Sequence, residues 1–151
     1  MFYTINRTDL RDRIDAEVSN VANEAYGDNG LSLYDSIILT EKDNEMVGRF
    51  IDDALNAFVS RVFDICKYYY TTDTQNSQTV ERLEFYIPDF DETMEDATKE
   101  EITKFIVLYV CSSLFQSRRP MVVPQYNERM QAAITKAVTL LKSRKSPIRL
   151  W

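Results

Sequence analysis

The stretch Glu101–Arg118, EITKFIVLYVCSSLFQSR, decides the fold. Between Phe105 and Phe115 it carries no charge on any side. A helix without a polar face has nothing to present to water, so it belongs at the centre of a domain with other helices packed around it. Thr98 and Glu101 stand in the spacing of a capping box and predict its start, and the prolines of QSRRPMVVPQ, Pro120 and Pro124, predict its end.

Working outward, a first helix is expected from Thr8, as its cap, to Tyr26, with Leu10, Ile14, Val18, Val21, Ala22 and Ala25 on one face and Gly27 as its stop. The segment Leu31–Leu39 reads as loop with room for one helical turn. Thr40-Glu41-Lys42-Asp43 resembles a capping box with Asp in place of Glu or Gln. Behind it Val47, Phe50, Ile51, Ala54, Phe58, Val62, Ile65 and Tyr69 keep a helical period as far as Tyr70. Such a helix would be roughly 45 Å long at 1.5 Å per residue, more than a compact globule of this size spans, so it must project, bend or break. TTDTQNSQT reads as loop. VERLEFYIP alternates, with Leu83, Phe85 and Ile87 against Arg82, Glu84 and Tyr86, and predicts a strand ended by Pro88. Its partner is either the segment before Thr40 or a strand of a neighbouring chain. A last helix is expected over Gln125–Ser143, with Tyr126, Met130, Ala133, Ile134, Ala137, Val138 and Leu141 inward. The expectation is one mainly α domain over residues 1–151, a bundle of about four helices with one long helix and a short β-strand or hairpin insertion. Residues 145–151 read as an extended C-terminal arm.

Composition narrows the chemistry. The 151 residues include no histidine, which removes the commonest general base and metal ligand and every Ser-His or Cys-His pair. Three glycines form no phosphate-cradling loop. Cys66 and Cys111, each inside a helical pattern, read as buried free thiols of a reducing compartment. No leader or membrane-spanning run is expected, so the reading is a cytosolic chain with no membrane partner. No catalytic, cofactor-binding or metal-binding residue is assigned, and no cofactor.

Three constellations invite sharper readings. Asp89, Asp91, Glu92, Glu95 and Asp96 crowd one segment, but lack the sixth-position glycine and twelfth-position glutamate of a calcium loop. They read as a solvated acidic segment leading into a helix N-terminus, and as a candidate acidic interface. Pairs such as Glu92/Glu95 or Asp12/Asp15 would serve an all-helical carboxylate phosphohydrolase only if acids converged from several helices. Tyr68, Tyr69 and Tyr70 read as core packing at the end of the long helix rather than as base-stacking groups, since no basic stripe accompanies them.

Charge is divided along the chain. From Arg118 to the end there are eight basic residues and one acid, a net of +7, so the preceding residues carry −13 of the total −6. An acidic body with a basic end suits head-to-tail association, and suits equally a tail that lies on its own acidic segment. Lys145, Ile148, Arg149, Leu150 and Trp151 are the candidate interaction arm, with Trp151 as its anchor.

Three stretches together resemble the head–tail connector, or adaptor, proteins of long-tailed bacteriophages and prophages: LTEKDNEMVGRFIDDALNAF (Leu39–Phe58), EITKFIVLYVCSSLFQSR with its closing arginine, and LLKSR (Leu140–Arg144). The resemblance covers roughly Leu39–Arg144. The first helix lies outside it, and RLEFYIPDFDETMED has no counterpart in it. It implies a mostly helical structural subunit of a homo-oligomeric ring of about a dozen copies. Such a ring meets portal and tail proteins, in the virion or the bacterial host cytoplasm, and passes DNA without sequence-specific binding. The rival reading is a helical protein-binding adaptor that forms no ring. Without calcium-loop spacing, millimolar Ca²⁺ or Mg²⁺ is predicted to leave Tm within about 1 °C, whereas a site filled at about 100 times its Kd adds about 2.7 kcal/mol, a shift of several degrees by calorimetry.

Overall fold

Helix packing around one buried helix is what the fold realises. The computed structural model describes residues 1–29, 31–75 and 77–145. Along the chain run β1 (Phe2–Ile5), α1 (Arg7–Asn29), α2 (Leu31–Ile37), α3 (Asn44–Val62), β2 (Lys67–Gln75), β3 (Gln78–Tyr86), α4 (Glu95–Arg118) and α5 (Val123–Leu141). The fold is mainly α, four long helices and a short one beside a small antiparallel sheet of order β1-β3-β2. Helices α1, α2, α3 and α5 all contact α4. Ile102, Ile106, Val110, Cys111, Leu114 and Phe115 of α4 are closed off from solvent, as are Phe58 of α3, Ala22 of α1 and Ala137 of α5. The uncharged run is the centre of the molecule, as its composition requires.

Two helix starts depart from the sequence reading because a neighbouring side chain caps the chain earlier. α1 opens one residue before Thr8, because the Asn6 side chain accepts the Asp9 N–H (3.0 Å), and it runs through Gly27 to Asn29. Leu31–Ile37 forms a helix of seven residues. α4 opens well before Thr98: Asp91 accepts the Thr93 N–H (3.1 Å), and a 3-10 turn at Glu92–Met94 leads into Glu95. Thr98 is therefore an interior residue whose hydroxyl donates to the Met94 carbonyl (2.6 Å). Glu101, far from capping anything, is nearly buried and pairs with Lys104 (3.3 Å) and Lys136 (3.2 Å). Pro120 follows the end of α4, as expected, whereas Pro124 sits in the first turn of α5, where its missing N–H costs nothing. α5 is accordingly Val123–Leu141, with Tyr126, Ala133, Ile134, Ala137 and Leu141 buried.

The thirty-residue helix does not form. α3 ends at Val62 after 19 residues, a turn follows, and β2 begins at Lys67. Tyr68-Tyr69-Tyr70-Thr71-Thr72 is a run of aromatic and β-branched residues, which lose rotamer freedom in a helix and fit a pleated surface. That preference overrides the apolar spacing that Ile65 and Tyr69 seemed to continue. Residues 71–75 and 78–79, expected as loop, are paired strands of a hairpin. The strand at 80–87 exists, with Leu83 and Phe85 buried, but its partners are β2 and the N-terminal β1. β1 is held by Tyr3 opposite Leu83, by Phe85 N–H donating to the Met1 carbonyl (2.8 Å), and by the Tyr3 hydroxyl against Thr103 of α4 (2.9 Å). Both cysteines are free and buried, and burial pushes both thiols up; Cys66, however, precedes β2 rather than sitting in a helix.

Arg118 closes the bundle. Its guanidinium donates to the carbonyls of Ile37 (3.2 Å) and Ile38 (3.0 Å), just past α2, and to Asp43 Oδ1 (2.6 Å). Asp43 Oδ2 accepts the Thr40 N–H (2.9 Å), so the Asp of the unusual capping box serves α3 and α4 at once. The Thr40 N–H, and then Arg118, hold this carboxyl below its ordinary range. Arg118→Ala is predicted to cost ~2–4 kcal/mol, since it strands a carboxylate and two carbonyls out of full solvent, and to lower Tm by several degrees. Arg61→Ala, on the exposed side of α3, should shift stability by no more than about 0.5 kcal/mol in the same denaturation measurement.

Candidate assembly surface

The hairpin β2–β3 pairs from Lys67↔Tyr86 to Gln75↔Gln78, leaving two residues at its turn, where Ser77 takes φ 64°. β1 covers only Glu81–Glu84, so the outer half of the hairpin extends beyond the three-stranded part of the sheet. Residues 67 to 74 of β2 are all exposed. Tyr68 and Tyr70, opposite Phe85 and Leu83, share the core-facing side but lie past its edge. Tyr69 turns to the other face and meets Tyr86 edge-on, ring centroids 5.3 Å apart. With Phe63 and Phe2, also exposed, these make one end of the molecule aromatic and wet. The expectation that the three tyrosines pack in the core is thus reversed: at 36%, 56% and 52% exposure they are surface.

One ion-pair cluster fixes this arm to the body. Arg7, the first residue of α1, grips Glu81 of β3 through two nitrogens (2.6 and 3.0 Å) and Asp52 of α3 at 2.6 Å. The Tyr70 hydroxyl donates to the same Glu81 (2.6 Å). A bidentate arginine–carboxylate pair is both stronger and more directional than a point contact. Arg7 therefore ties the hairpin to the body partway along its length, at the Thr72↔Glu81 pair.

The acidic segment and the start of the basic tail are brought together. Phe90 bridges to Arg144, Asp91 N–H donates to the Ser143 carbonyl (3.3 Å), and Lys145 N–H donates to the Asp89 carbonyl (2.8 Å). Asp89 adopts φ 54° to make that turn, a conformation Asp tolerates better than most residues. The Lys145 ammonium lies 3.7 Å from Glu92. Glu95 pairs with Lys99 one turn on (3.3 Å), and Asp96 is exposed in the first turn of α4, where the helix dipole favours it. Of the candidate arm only Lys145 is in view; Ile148, Arg149, Leu150 and Trp151 lie outside the described residues.

A groove of about 630 Å³ runs between α1, α4 and α5. Its charges pair across it: Arg13 with Glu100 (2.9 Å), Arg129 with Glu17 (3.3 Å) and Lys136 with Glu101 (3.2 Å), while Lys104 reaches the same Glu101 from within α4. The Tyr126 hydroxyl, pushed up by burial and by its bond to Glu17 (2.7 Å), completes the seam. Sequence reasoning gave none of the pairings between helices, since those partners are tens of residues apart. Among the described residues no group of three or more His, Cys, Asp or Glu side chains is placed to hold a metal ion, and no helix is long and apolar enough to cross a membrane. Compared with known protein families, curated proteins and solved structures, the chain matches none.

Arg7→Ala is predicted to speed amide exchange in Lys67–Thr72 and Glu81–Tyr86 by about tenfold or more while leaving α4 protected. Arg7 holds the Glu81 carboxyl below its ordinary 4.5. A depressed folded-state value means stabilisation that is complete above the unfolded value and lost as pH falls through the lower one. The difference between wild type and Arg7→Ala should accordingly shrink once pH drops below about 4.5, read by exchange mass spectrometry.

Proposed function

We propose that this chain is a structural, non-enzymatic assembly subunit of the head–tail connector type, forming a ring between portal and tail through which DNA passes. The observation that carries the reading is the aromatic base of the hairpin: held to the body by Arg7 at Glu81, the hairpin presents Tyr68, Tyr69, Tyr70 and Tyr86 to solvent. Clustered exposed aromatics along a sheet edge are characteristic of surfaces that another protein covers. The stretches that carry the resemblance fall on coherent parts of the fold. Leu39–Phe58 spans the capping turn and most of α3, Glu101–Arg118 is the body of α4, and Leu140–Arg144 joins α5 to the tail. The closing arginine of the second stretch is the Arg118 that ties α4 to Asp43 of the first.

The rival reading, a helical adaptor that binds a partner without a ring, draws support from the tail root. Ser143, Arg144 and Lys145 pair with their own acidic segment, which uses part of the charge contrast that a head-to-tail contact would exploit. The phosphohydrolase reading has less to draw on, because Asp15 is paired with Arg11 (3.0 Å), and Glu95 with Lys99. Light scattering across a range of concentrations, with electron microscopy of the largest species, decides between the first two. A closed ring is expected, and a species that stays monomeric at every concentration and with portal protein added overturns the connector reading. Deleting residues 146–151 is predicted to leave the circular dichroism spectrum and Tm unchanged and to weaken assembly, with Trp151→Ala reproducing most of the loss; a truncated chain that unfolds assigns those residues to the core instead.

A further inference from the structure

We infer that β2 is a self-complementary sheet edge that pairs antiparallel with β2 of a second copy of this chain. The inference goes beyond the ring reading, because a ring joins two different surfaces whereas this edge matches itself.

The sheet order β1-β3-β2 leaves β2 at an edge, and among the described residues nothing pairs beyond it. Nine residues is long for an exposed edge, and KYYYTTDTQ contains no proline to block pairing and only one lysine, at its start. The closing pair of a two-residue hairpin is hydrogen-bonded, here Gln75↔Gln78. By alternation Lys67, Tyr69, Thr71 and Asp73 turn their N–H and C=O groups toward β3, and Tyr68, Tyr70, Thr72 and Thr74 turn theirs to the open edge.

Lys67 and Asp73 are the charged residues of β2. One antiparallel register places each opposite the other's counterpart: the register in which Tyr70 faces Tyr70 of the second copy. Tyr70 is an edge-facing residue, so this register is also one that makes hydrogen-bonded pairs, Tyr68 with Thr72 on either side of the central pair. On the opposite face Tyr69 meets Thr71 and Lys67 meets Asp73, each twice by symmetry. Aromatic–β-branched and opposite-charge cross-strand pairs are the stabilising kinds. The ladder stops at Lys67 because the Cys66 N–H already donates to the Val62 carbonyl (3.2 Å). Sliding the register by two residues forfeits both charge pairs.

A second, independent feature suits an added strand. Between β2 and α3 runs a groove of about 330 Å³ lined by Leu55, Val59, Leu83, Tyr68 and Tyr70, with Arg7, Asp52 and Asn56 supplying polar groups. It lies on the core-facing side of the sheet, beneath its edge strand. In the Tyr70-centred register the side chains of the second copy directed to that face are Tyr68, Tyr70 and Thr72, whose rings and hydroxyls suit a groove of mixed apolar and polar lining.

The test is sedimentation equilibrium of the full chain and its variants, with circular dichroism as the check on folding. Wild type should show a two-fold associating unit. Thr72→Pro removes an edge-facing N–H without touching the β3 ladder, and Lys67→Asp sets like charges opposite each other; each should weaken the association by about tenfold or more. The exchange Lys67→Asp with Asp73→Lys in one chain should restore it, which a merely structural role for either residue would not do. Tyr70→Cys should cross-link to itself under mild oxidation, and Thr71→Cys, which faces Tyr69 of the second copy, should not. Association unaffected by Thr72→Pro, or no restoration by the exchange, overturns the inference. A ring that persists in Thr72→Pro would uphold the connector reading while rejecting this contact, so the two stand or fall separately.

Discussion

The burial of α4 on every side is the constraint from which the rest of the structure follows. A helix whose middle carries no charge needs neighbours all round, and α1, α2, α3 and α5 supply them. Enclosure then dictates where polarity can go. The charges of α4 are confined to its first turns and its last residues, where Glu100 and Glu101 reach across to α1 and α5 and Arg118 reaches the α2–α3 junction. Phe58 illustrates the packing: it is sealed from solvent between Phe85 of the sheet and Phe105 of α4, with ring centroids 6.0 Å from each. Truncating such a ring typically costs about 3–5 kcal/mol.

Much of this was legible because periodicity reports burial. The faces of α1, α3 and α5 and the alternation of Leu83 and Phe85 all came from spacing alone, and the buried residues agree with them. The errors in helix length have one physical origin. Periodicity reports which face is apolar, not where a helix stops, and the chain from Val62 to Tyr70 carried apolar residues at helical spacing while its tyrosines and threonines favoured a strand. The partner of that strand was out of reach for a different reason: β1 and β3 are separated by more than seventy residues, and four residues of FYTI give no local signal. Caps failed similarly. Thr98 has the right neighbours for a capping box, yet Asp91, seven residues earlier, satisfies the helix end first.

The candidate surface was less legible than the fold. Clustered tyrosines were visible, but exposure is a property of the edge they lie on, and the edge exists only once the hairpin does. Arg7, Asp52, Glu81 and Tyr70 come from four elements, so no spacing rule collects them. The division of charge was readable, and both of its expected uses remain in play at the tail root, where Lys145 lies on Glu92 and on the Asp89 carbonyl. Of the described charges at that root, Lys145 is paired with an acid of the segment, whereas the Arg144 guanidinium turns to the carbonyls of Leu141 and Ser143.

The claim at the centre of this account is that the exposed tyrosines of β2 become an interface. Oxidative footprinting of tyrosines as a function of protein concentration tests it most directly, with Tyr26, exposed on α1, as the internal reference. The account predicts that Tyr68, Tyr69 and Tyr70 lose reactivity relative to Tyr26 as the protein associates. Equal reactivity of all four in a sample shown to be associated would contradict it.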